Sequence, residues 1–575
     1  MTSYQFVVAS LFLLVIGALI FSRFRPSMIF AVALLGSYLS GAVSTEEMLG
    51  KAVNPGLVTL LVLIMVSVGL EKASWIKSIS DKLLAGGYYP SLLKLTGVTA
   101  LGSAFLNNTA IVAALSGAVR KQKRYPASRL LIPLSYAAIL GGTMTLIGTS
   151  TNLIVNSFVL DQGEPGLSFF AFLPIGLAAV VCGILVVLLT NRLLPTLATE
   201  EEAEQDYLIE AKISRGSTLH GKTVTEAGLR NLETLFLVEL IRSGHCLSPV
   251  SPAEIIEEGD RLIFSGDIQH LERLRQLDGI ELFAEKEDLD TLNLTEVVVR
   301  PNAGIEGKTL RETNFRSQFD AAVIAIRRGG DRLYTKLGEL ALRPGDGLLL
   351  AVGPDFIKHG NIDKNFYIIS GTQLPQDLSR KQNLWLGIGF LFVILGAALE
   401  WFPLLKGLVG LLGLMVGTGM VSTSEIKRRF PFQLWLIIAG ALVIAQALTN
   451  SGLVQLVADS LHSSFAGWGP VAALVGVFLA TLVLTEIMTN NAAAALMFPL
   501  AWSLAESFGV SWMPFVMAVA YGASASFLTP FGYQTNLMVQ NIGGYHTRDF
   551  ARAGIFVSIT YALVVLTLLP VVFPF

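Results

Sequence analysis

Ala104-Phe105-Leu106-Asn107-Asn108-Thr109-Ala110 lies inside an apolar stretch, and Gly148-Thr149-Ser150-Thr151-Asn152-Leu153 follows it. The far half of the chain has the same arrangement: Ile487-Met488-Thr489-Asn490-Asn491-Ala492, then Gly532-Tyr533-Gln534-Thr535-Asn536-Leu537. Hydrocarbon offers no partner to a free amide or carbonyl. Polar, helix-breaking sequence at membrane depth is therefore tolerated only inside protein or around a cavity. Corresponding interruptions in two halves of one chain point to a transport site near the bilayer midplane.

The surrounding composition agrees. The chain has 575 residues, 53% hydrophobic and 15% charged, with mean hydropathy +0.61, an integral-membrane composition rather than that of a soluble enzyme. Most charge falls between Glu200 and Lys381, so the net charge of -2 says little about partners, and no basic tract suggests nucleic acid. Cys182 and Cys246 fall in a membrane segment and in the charged insert; a disulfide between them is not expected, and no Cys/His cluster has metal spacing. The apolar run Phe6 to Phe21 has no basic residue before it and Arg23 and Arg25 after it. A cleaved signal has the reverse order, so this run reads as the first span.

Apolar runs recur to the C-terminus, and a straight span needs about 20 such residues. The runs at 92–119 and 469–504 exceed one span and carry the Asn pairs near their middles, as re-entrant helical hairpins would. Those at 130–160 and 513–545 are interrupted at Gly148–Asn152 and Gly532–Asn536, as broken helices would be. Positive charge sets orientation. Arg23, Arg25, Lys72, Lys77, Lys82, the cluster from Arg120 to Arg129, Arg192, Lys427 to Arg429, and His546 to Arg552 are assigned to the cytoplasm. The Lys/Arg-free loops at Glu46-Glu47, Asp161–Ser168 and Asp459–Trp468 are assigned outside. The chain threads these assignments only if the first hairpin opens inward and the second outward. That is an inverted repeat, residues 1–195 and 383–575, with both termini outside.

The insert carries a second duplication. Gly221-Lys222-Thr223 returns as Gly307-Lys308-Thr309, and Gly259-Asp260 as Gly345-Asp346, among alternating strand patterns. Two small α+β domains, 205–285 and 290–370, are expected in the cytoplasm. Gly216-Ser217-Thr218-Leu219-His220-Gly221-Lys222-Thr223 fits the phosphate-loop pattern letter for letter. The second copy has Asn302 where the first glycine belongs, and no acidic strand end for magnesium follows. A turn inside each domain is the better reading.

Taken together, the motifs resemble the divalent-anion:sodium symporter (dicarboxylate/sulfate) family, in its subgroup with two inserted TrkA-C (RCK C-terminal-like) domains. The resemblance covers essentially the whole chain. Asn107-Asn108-Thr109-Ala110 and Thr485-Glu486-Ile487-Met488-Thr489-Asn490-Asn491-Ala492 are similar to the family's hairpin motifs. Gly141-Gly142-Thr143-Met144-Thr145-Leu146-Ile147-Gly148-Thr149 is similar to its first broken-helix loop. The resemblance implies one sodium ion near Asn107, Asn108, Gly148 and Asn152, and another near Thr489, Asn490, Gly532 and Asn536. The anion would touch Asn108, Thr109, Thr149, Asn490 and Asn491, and in this chain Tyr533 and Gln534, which depart from the family pattern. A homodimer and a small-molecule or nucleotide regulator at the TrkA-C-like domains are further implications. The subgroup's association with sulfate makes sulfate the leading substrate, with a dicarboxylate as the alternative.

The residue chemistry agrees with the resemblance. Sodium wants oxygen ligands, which Asn, Thr and freed carbonyls supply, and half-helix N-termini give an anion amide donors without Arg or Lys. Glu486 is an intramembrane carboxylate and a functional suspect by default. It serves either ion coupling or an orienting hydrogen bond. A cation/proton antiporter with Glu486 as carrier is the rival within transport. An RCK-gated channel, suggested only by the insert, is disfavoured because this sequence has no Thr-Val-Gly-Tyr-Gly filter, and no nucleophile–base pair or metal cluster suggests an enzyme. The expected protein is a plasma (inner) membrane symporter.

Overall fold

A computed structural model describes residues 3–22, 24–72, 83–84, 86–122, 124–196, 208–214, 216–229, 235–242, 245–247, 250–266, 279–283, 294–300, 303–328, 331–333, 340–353, 356, 361–370, 378–457, 460 and 467–575. Arg23, Lys77, Lys82, Lys123, Glu200, Asn302 and Asp459 lie outside these.

Before the insert come α1 Ser3–Phe21, α2 Pro26–Leu39, α3 Thr45–Ala52, α4 Pro55–Glu71, α5 Tyr88–Ser103, α6 Asn108–Lys121, α7 Leu131–Gly142, α8 Ser150–Asp161 and α9 Leu173–Thr190. After it come α10 Arg380–Ala398, α11 Leu404–Gly417, α12 Thr423–Arg429, α13 Phe432–Asn450, α14 Gly469–Ile487, α15 Asn490–Phe508, α16 Met513–Ser524, α17 Gln534–Gly543 and α18 Thr547–Val572. Each helix of the first set thus has a counterpart nine labels later. The short helices α3 and α12 even start alike, with capping boxes Ser44–Glu47 and Ser422–Glu425.

Six helical segments among the described residues are long and apolar enough to cross a membrane. On α9, the exposed Leu177, Val181, Leu185 and Leu189 form one stripe at helical spacing; Leu384, Ile388, Leu391 and Leu395 do the same on α10. Apolar stripes of this kind suit lipid. The packing is mirrored too. α2 lies on α13 and α4 on α11, α5 on α7 and α14 on α16, while α9 packs on its own counterpart α18.

The helix pair α5–α6 turns at Ala104–Asn107, and α14–α15 turns at Met488–Thr489. α5 and α6 have 16 and 14 residues, less than a straight span, whereas α14 and α15 have 19 each. The breaks fall earlier than the sequence suggests, at 143–149 and 525–533. Asn152 and Asn536 are already helical, in the first turns of α8 and α17. Asn and Thr disfavour helix interiors but suit first turns, because their side chains bond nearby backbone; polar composition alone therefore misplaces the break.

The insert holds two antiparallel five-stranded sheets with identical topology. Strands β1 Leu208–Ile213, β2 Leu235–Arg242, β3 His245–Leu247, β4 Arg261–Gly266 and β5 Ile280–Phe283 are ordered β3-β2-β4-β1-β5. Strands β6 Leu294–Val299, β7 Ala321–Arg328, β8 Asp331–Arg332, β9 Gly347–Val352 and β10 Phe366–Ser370 are ordered β10-β6-β9-β7-β8. Among the described residues the insert's helical turns are short, Phe315–Phe319 and Ile362–Asn365 the α-helical ones. Arg242 grips Asp260 at 2.8 Å through two nitrogens, and Arg328 grips Asp346 in the same way. The carboxylate beneath it holds the Arg242 guanidinium above its ordinary range. The Gly-Lys-Thr turns also match: Gly221 and Gly307 donate to the carbonyls of Ile256 and Leu342. Thr223 N and Thr309 N cap the carboxylates of Glu226 and Glu312 and hold both below the usual range. These are turns that end in a β-bridge.

Candidate functional site

The four breaks converge. Asn108, in the first turn of α6, donates from Nδ2 to the Tyr533 hydroxyl at 2.7 Å. That hydroxyl lies 3.0 Å from Thr149 Oγ1, which reaches Thr151 at 3.1 Å and through it Ser524 at 3.0 Å. Thr109 Oγ1 donates to Gln534 Oε1 at 3.3 Å, and Ser150 donates to Asn491 Oδ1 at 2.9 Å. Each helix-pair turn is thus bonded to the break of the opposite half. Asn108, Thr149 and Tyr533 are buried, whereas Asn107, Thr489, Phe531 and Gln534 are exposed. One side of the cluster is closed and the other opens outward from the protein.

Equivalent bonds hold both breaks in shape. Asn152 Nδ2 donates to the carbonyls of Thr145 (2.8 Å) and Gly142 (3.5 Å). Asn536 Nδ2 donates to those of Thr529 (3.2 Å) and Ser526 (2.9 Å), at the same spacing along the chain. Ser103 and Thr485 each reach a carbonyl of the neighbouring half-helix, Ala138 and Ala523, at 2.8 Å. Thr145 bonds the carbonyl of Ala104, as Thr529 bonds that of Glu486 at 3.3 Å.

That last pair locates Glu486. Its position in the first half is held by Ala104. Its carboxylate accepts from Phe527 N (2.9 Å), Leu528 N (2.8 Å), Thr529 N (3.0 Å) and Thr529 Oγ1 (2.7 Å). Four donors occupy it. The second break is shaped around an acid where the first break has none.

The first break forms a tight cradle. A Cβ on Gly142 would lie 2.8 Å from Asn108 Nδ2, 3.0 Å from Asn108 Oδ1 and 3.1 Å from the Gly148 carbonyl; one on Gly148 would lie 2.5 Å from the Gly142 carbonyl. Close approach of carbonyl and amide oxygens suits a small hard cation. In the second break Ser526 stands where Gly142 does in the first. Its hydroxyl is fully buried and has no hydrogen-bond partner among the described residues, and it sits beside Gly532 and the Thr485 carbonyl.

Some expected ligands have other duties. Asn536 spends its amide on the break carbonyls, and its Oδ1 accepts from Ser135 at 2.7 Å, as Asn108 Oδ1 accepts from Ser103, so each of these oxygens already has one donor. Asn490 accepts from the backbone of Asn491 at 2.9 Å. Sequence reasoning did not single out Ser103, Ser150, Thr151, Ser524 and Ser526. Ser150 and Thr151 stood in the quoted motif; Ser526 is recognisable only as the counterpart of Gly142. Among the described residues no group of three or more His, Cys, Asp or Glu could hold a metal.

A model of the citrate transporter family matches residues 11–522, from α1 through the insert and into α16. The chain belongs to that family. It is 32% identical over 557 residues to a putative sulfur deprivation response regulator of Chlamydomonas reinhardtii, covering 92% of this chain and 94% of that one. An uncharacterised transporter of a Synechocystis species is 32% identical over 544 residues, 89% of this chain and 88% of its own. Sodium/sulfate cotransporter 1 of C. reinhardtii is 29% identical over 375 residues, 62% of this chain but 42% of that longer protein. Family, relatives and apolar helices together make this a polytopic membrane transporter rather than an enzyme.

Proposed function

We propose that the chain is a sodium-coupled symporter of a small divalent anion, sulfate first, working by an elevator-type alternation. The observation that carries this reading is the cluster in which Asn108, Thr149, Tyr533, Ser150 and Asn491 join breaks from opposite halves through amides and hydroxyls. Such groups suit both sodium and an anion held by dipoles. One sodium ion is assigned to the Asn108, Gly142 and Gly148 cradle. A second is assigned to Ser526, the Thr485 carbonyl and Gly532. The anion lies between the helix-pair turns, near Thr109, Asn490, Asn491, Tyr533 and Gln534. Bound sodium would be the largest local charge, so the anion site is incomplete until cations arrive.

The elevator reading draws on one asymmetry. α4 packs on α8, and α13 packs on α15, but the mirrored pairs α13–α17 and α4–α6 have no comparable contact. In an inverted repeat the opposite state exchanges these pairs. α1–α4 and α10–α13 then form the scaffold, and the re-entrant hairpins with their broken helices form the moving part. By the charge pattern the chain sits in the plasma membrane with its sheets in the cytoplasm and its termini outside. The sheet pair is read as TrkA-C-like regulatory domains, and the assembly as a homodimer.

A dicarboxylate or larger carboxylate substrate is the second reading, favoured by the family's citrate description. The antiporter reading is weakened by the four donors already bound to Glu486. The test is uptake of radiolabelled sulfate into proteoliposomes with and without an inward sodium gradient, competed by succinate, citrate and thiosulfate. Sodium-dependent sulfate uptake that is lost in Asn108→Ala supports the proposal. Uptake competed only by carboxylates moves it to the second reading. Sodium-driven proton movement without anion uptake ends both.

A further inference from the structure

The second sheet does not stand apart from the membrane helices. Arg25, between α1 and α2, reaches the Ala303 carbonyl at 3.3 Å and Glu306 at 3.7 Å. Arg120, near the end of α6, pairs with Glu296 of β6. Arg327 donates to the Asn541 carbonyl on α17 at 3.2 Å, and Gly345 lies so close to Leu537 that a Cβ there would come within 2.5 Å. This module therefore touches the proposed scaffold and the proposed moving part at once.

Where it meets α17 there is a cavity of about 620 Å³, running from Phe531 in the second break to the start of α18. Arg328, Arg343 and Asp346 line it from the module, Asn541 from α17, and Arg548 from α18. Three arginines face it against one carboxylate. Arg328 is satisfied by Asp346. The guanidinium groups of Arg343 and Arg548, from two separate parts of the fold, have no partner among the described residues. Two guanidinium groups without a partner among the described residues line one cavity from separate elements, and their fork geometry suits planar and tetrahedral oxyanions, which makes the cavity a receptor for negative charge.

We propose that this cavity is a second anion site, distinct from the transport site, which takes a sulfate or phosphate group between Arg343 and Arg548. The volume exceeds what one free oxyanion fills, so the group arrives free or as part of a larger molecule such as a lipid headgroup. Occupancy ties the module to α17 and α18 and so holds the second break against the scaffold-bound sheet. A cytoplasmic oxyanion thereby slows transport. This feedback role rests on the symporter reading; the binding site does not.

The test measures binding of radiolabelled sulfate and phosphate to the purified full-length protein carrying Asn108→Ala, which disables the proposed transport site. Saturable binding that remains there, and that Arg343→Gln or Arg548→Gln weakens about tenfold or more, supports the site. Displacement of the bound ion by phosphatidylglycerol vesicles, but not phosphatidylcholine, also supports it and identifies a headgroup as the occupant. If neither ion nor phosphatidylglycerol binds the Asn108→Ala protein, or the arginine variants bind as well as their parent, the site is refuted. Asn491→Ala serves as parent should Asn108→Ala not fold. In proteoliposomes with Asn108 intact, the arginine variants keep their initial uptake but lose inhibition by internal anion. Inhibition that persists in them overturns the feedback. Absence of uptake in every variant alongside intact binding defeats the symporter reading and leaves the site standing.

Discussion

The molecule contains two duplications, and they treat their paired positions differently. In the insert, Arg242–Asp260 and Thr223–Glu226 of the first sheet are repeated residue for residue by Arg328–Asp346 and Thr309–Glu312. In the membrane part the bracing bonds are repeated just as faithfully, Asn152 by Asn536 and Ser103 by Thr485. Positions that line the site are not: Glu486 stands where the first half has Ala104, Ser526 where it has Gly142, and Tyr533 where it has Thr149. Where a pair only holds backbone in shape, the same solution serves twice. Where oxygens line the space between a turn and a break, the halves part company, as the two non-equivalent sodium sites proposed above would require.

The largest break in this comparison comes from Glu486→Gln. One carboxylate serves three backbone N–H groups and a hydroxyl, and the amide would turn a donor toward some of them. Charge-assisted bonds are worth about 1.5–3 kcal/mol each. A loss on the order of 3 kcal/mol corresponds to more than about a hundredfold in uptake rate, with a lower unfolding temperature in detergent. Near-normal, sodium-driven uptake in this variant would show that the second break needs no acid and is only a copy of the first. Tyr533→Phe comes next. It strips the hydroxyl that joins Asn108 to Thr149 and leaves two buried groups short of a partner, about 1–3 kcal/mol. Anion half-saturation is expected to rise roughly tenfold to a hundredfold, measured by uptake at saturating sodium.

Ser526→Ala sharpens the contrast with Gly142. The hydroxyl has no partner among the described residues, so removing it should leave the unfolding temperature unchanged or raise it. If it is a sodium ligand, half-saturation by sodium should still increase, by about tenfold for the loss of one charge–oxygen contact. A variant with unaltered sodium dependence removes Ser526 from the ion site and leaves the difference from Gly142 without a role. The sodium titration at fixed anion decides it.

How much of this was legible in the sequence depends on where the partners lie. The polar interruptions themselves were plain, because Asn107-Asn108 and Asn490-Asn491 stand in apolar surroundings. The strands of the insert were plain as well: Leu235–Ile241 and Gly347–Val352 are short apolar runs in charged, glycine-bearing surroundings, and the Gly-Lys-Thr turns recur. The edges of the breaks were not, since Asn152 and Asn536 act from inside a first helical turn on carbonyls upstream. For Glu486 the sequence left ion coupling and an orienting hydrogen bond both open, because its partners are backbone N–H groups around Leu528, which carry no sequence signature. Ser526 was hidden for a similar reason: it is the matching bonds from Asn152 and Asn536 to these two carbonyls that set it against Gly142. The cavity at Arg343 and Arg548 joins parts of the chain that no local pattern connects.

The smallest expected effect tests the faithful duplication. Asp260 is 1% exposed and Asp346 equally so; each accepts two bonds from an arginine and one from a backbone N–H, Glu257 N at 2.8 Å and Arg343 N at 2.7 Å. Asp260→Asn and Asp346→Asn should therefore loosen their own turns by similar amounts, a severalfold faster amide exchange at Glu257 and at Arg343 respectively, for about 1 kcal/mol of local stability. Initial uptake should be unchanged in Asp260→Asn, because the first module's pair lies away from the cavity. Asp346 shares the cavity wall with Arg343, so Asp346→Asn should also strengthen oxyanion binding there by removing the one carboxylate that opposes it. Equal exchange with unequal anion binding would separate the two roles of one repeated pair: the turn it closes in both modules, and the charge it balances in only one.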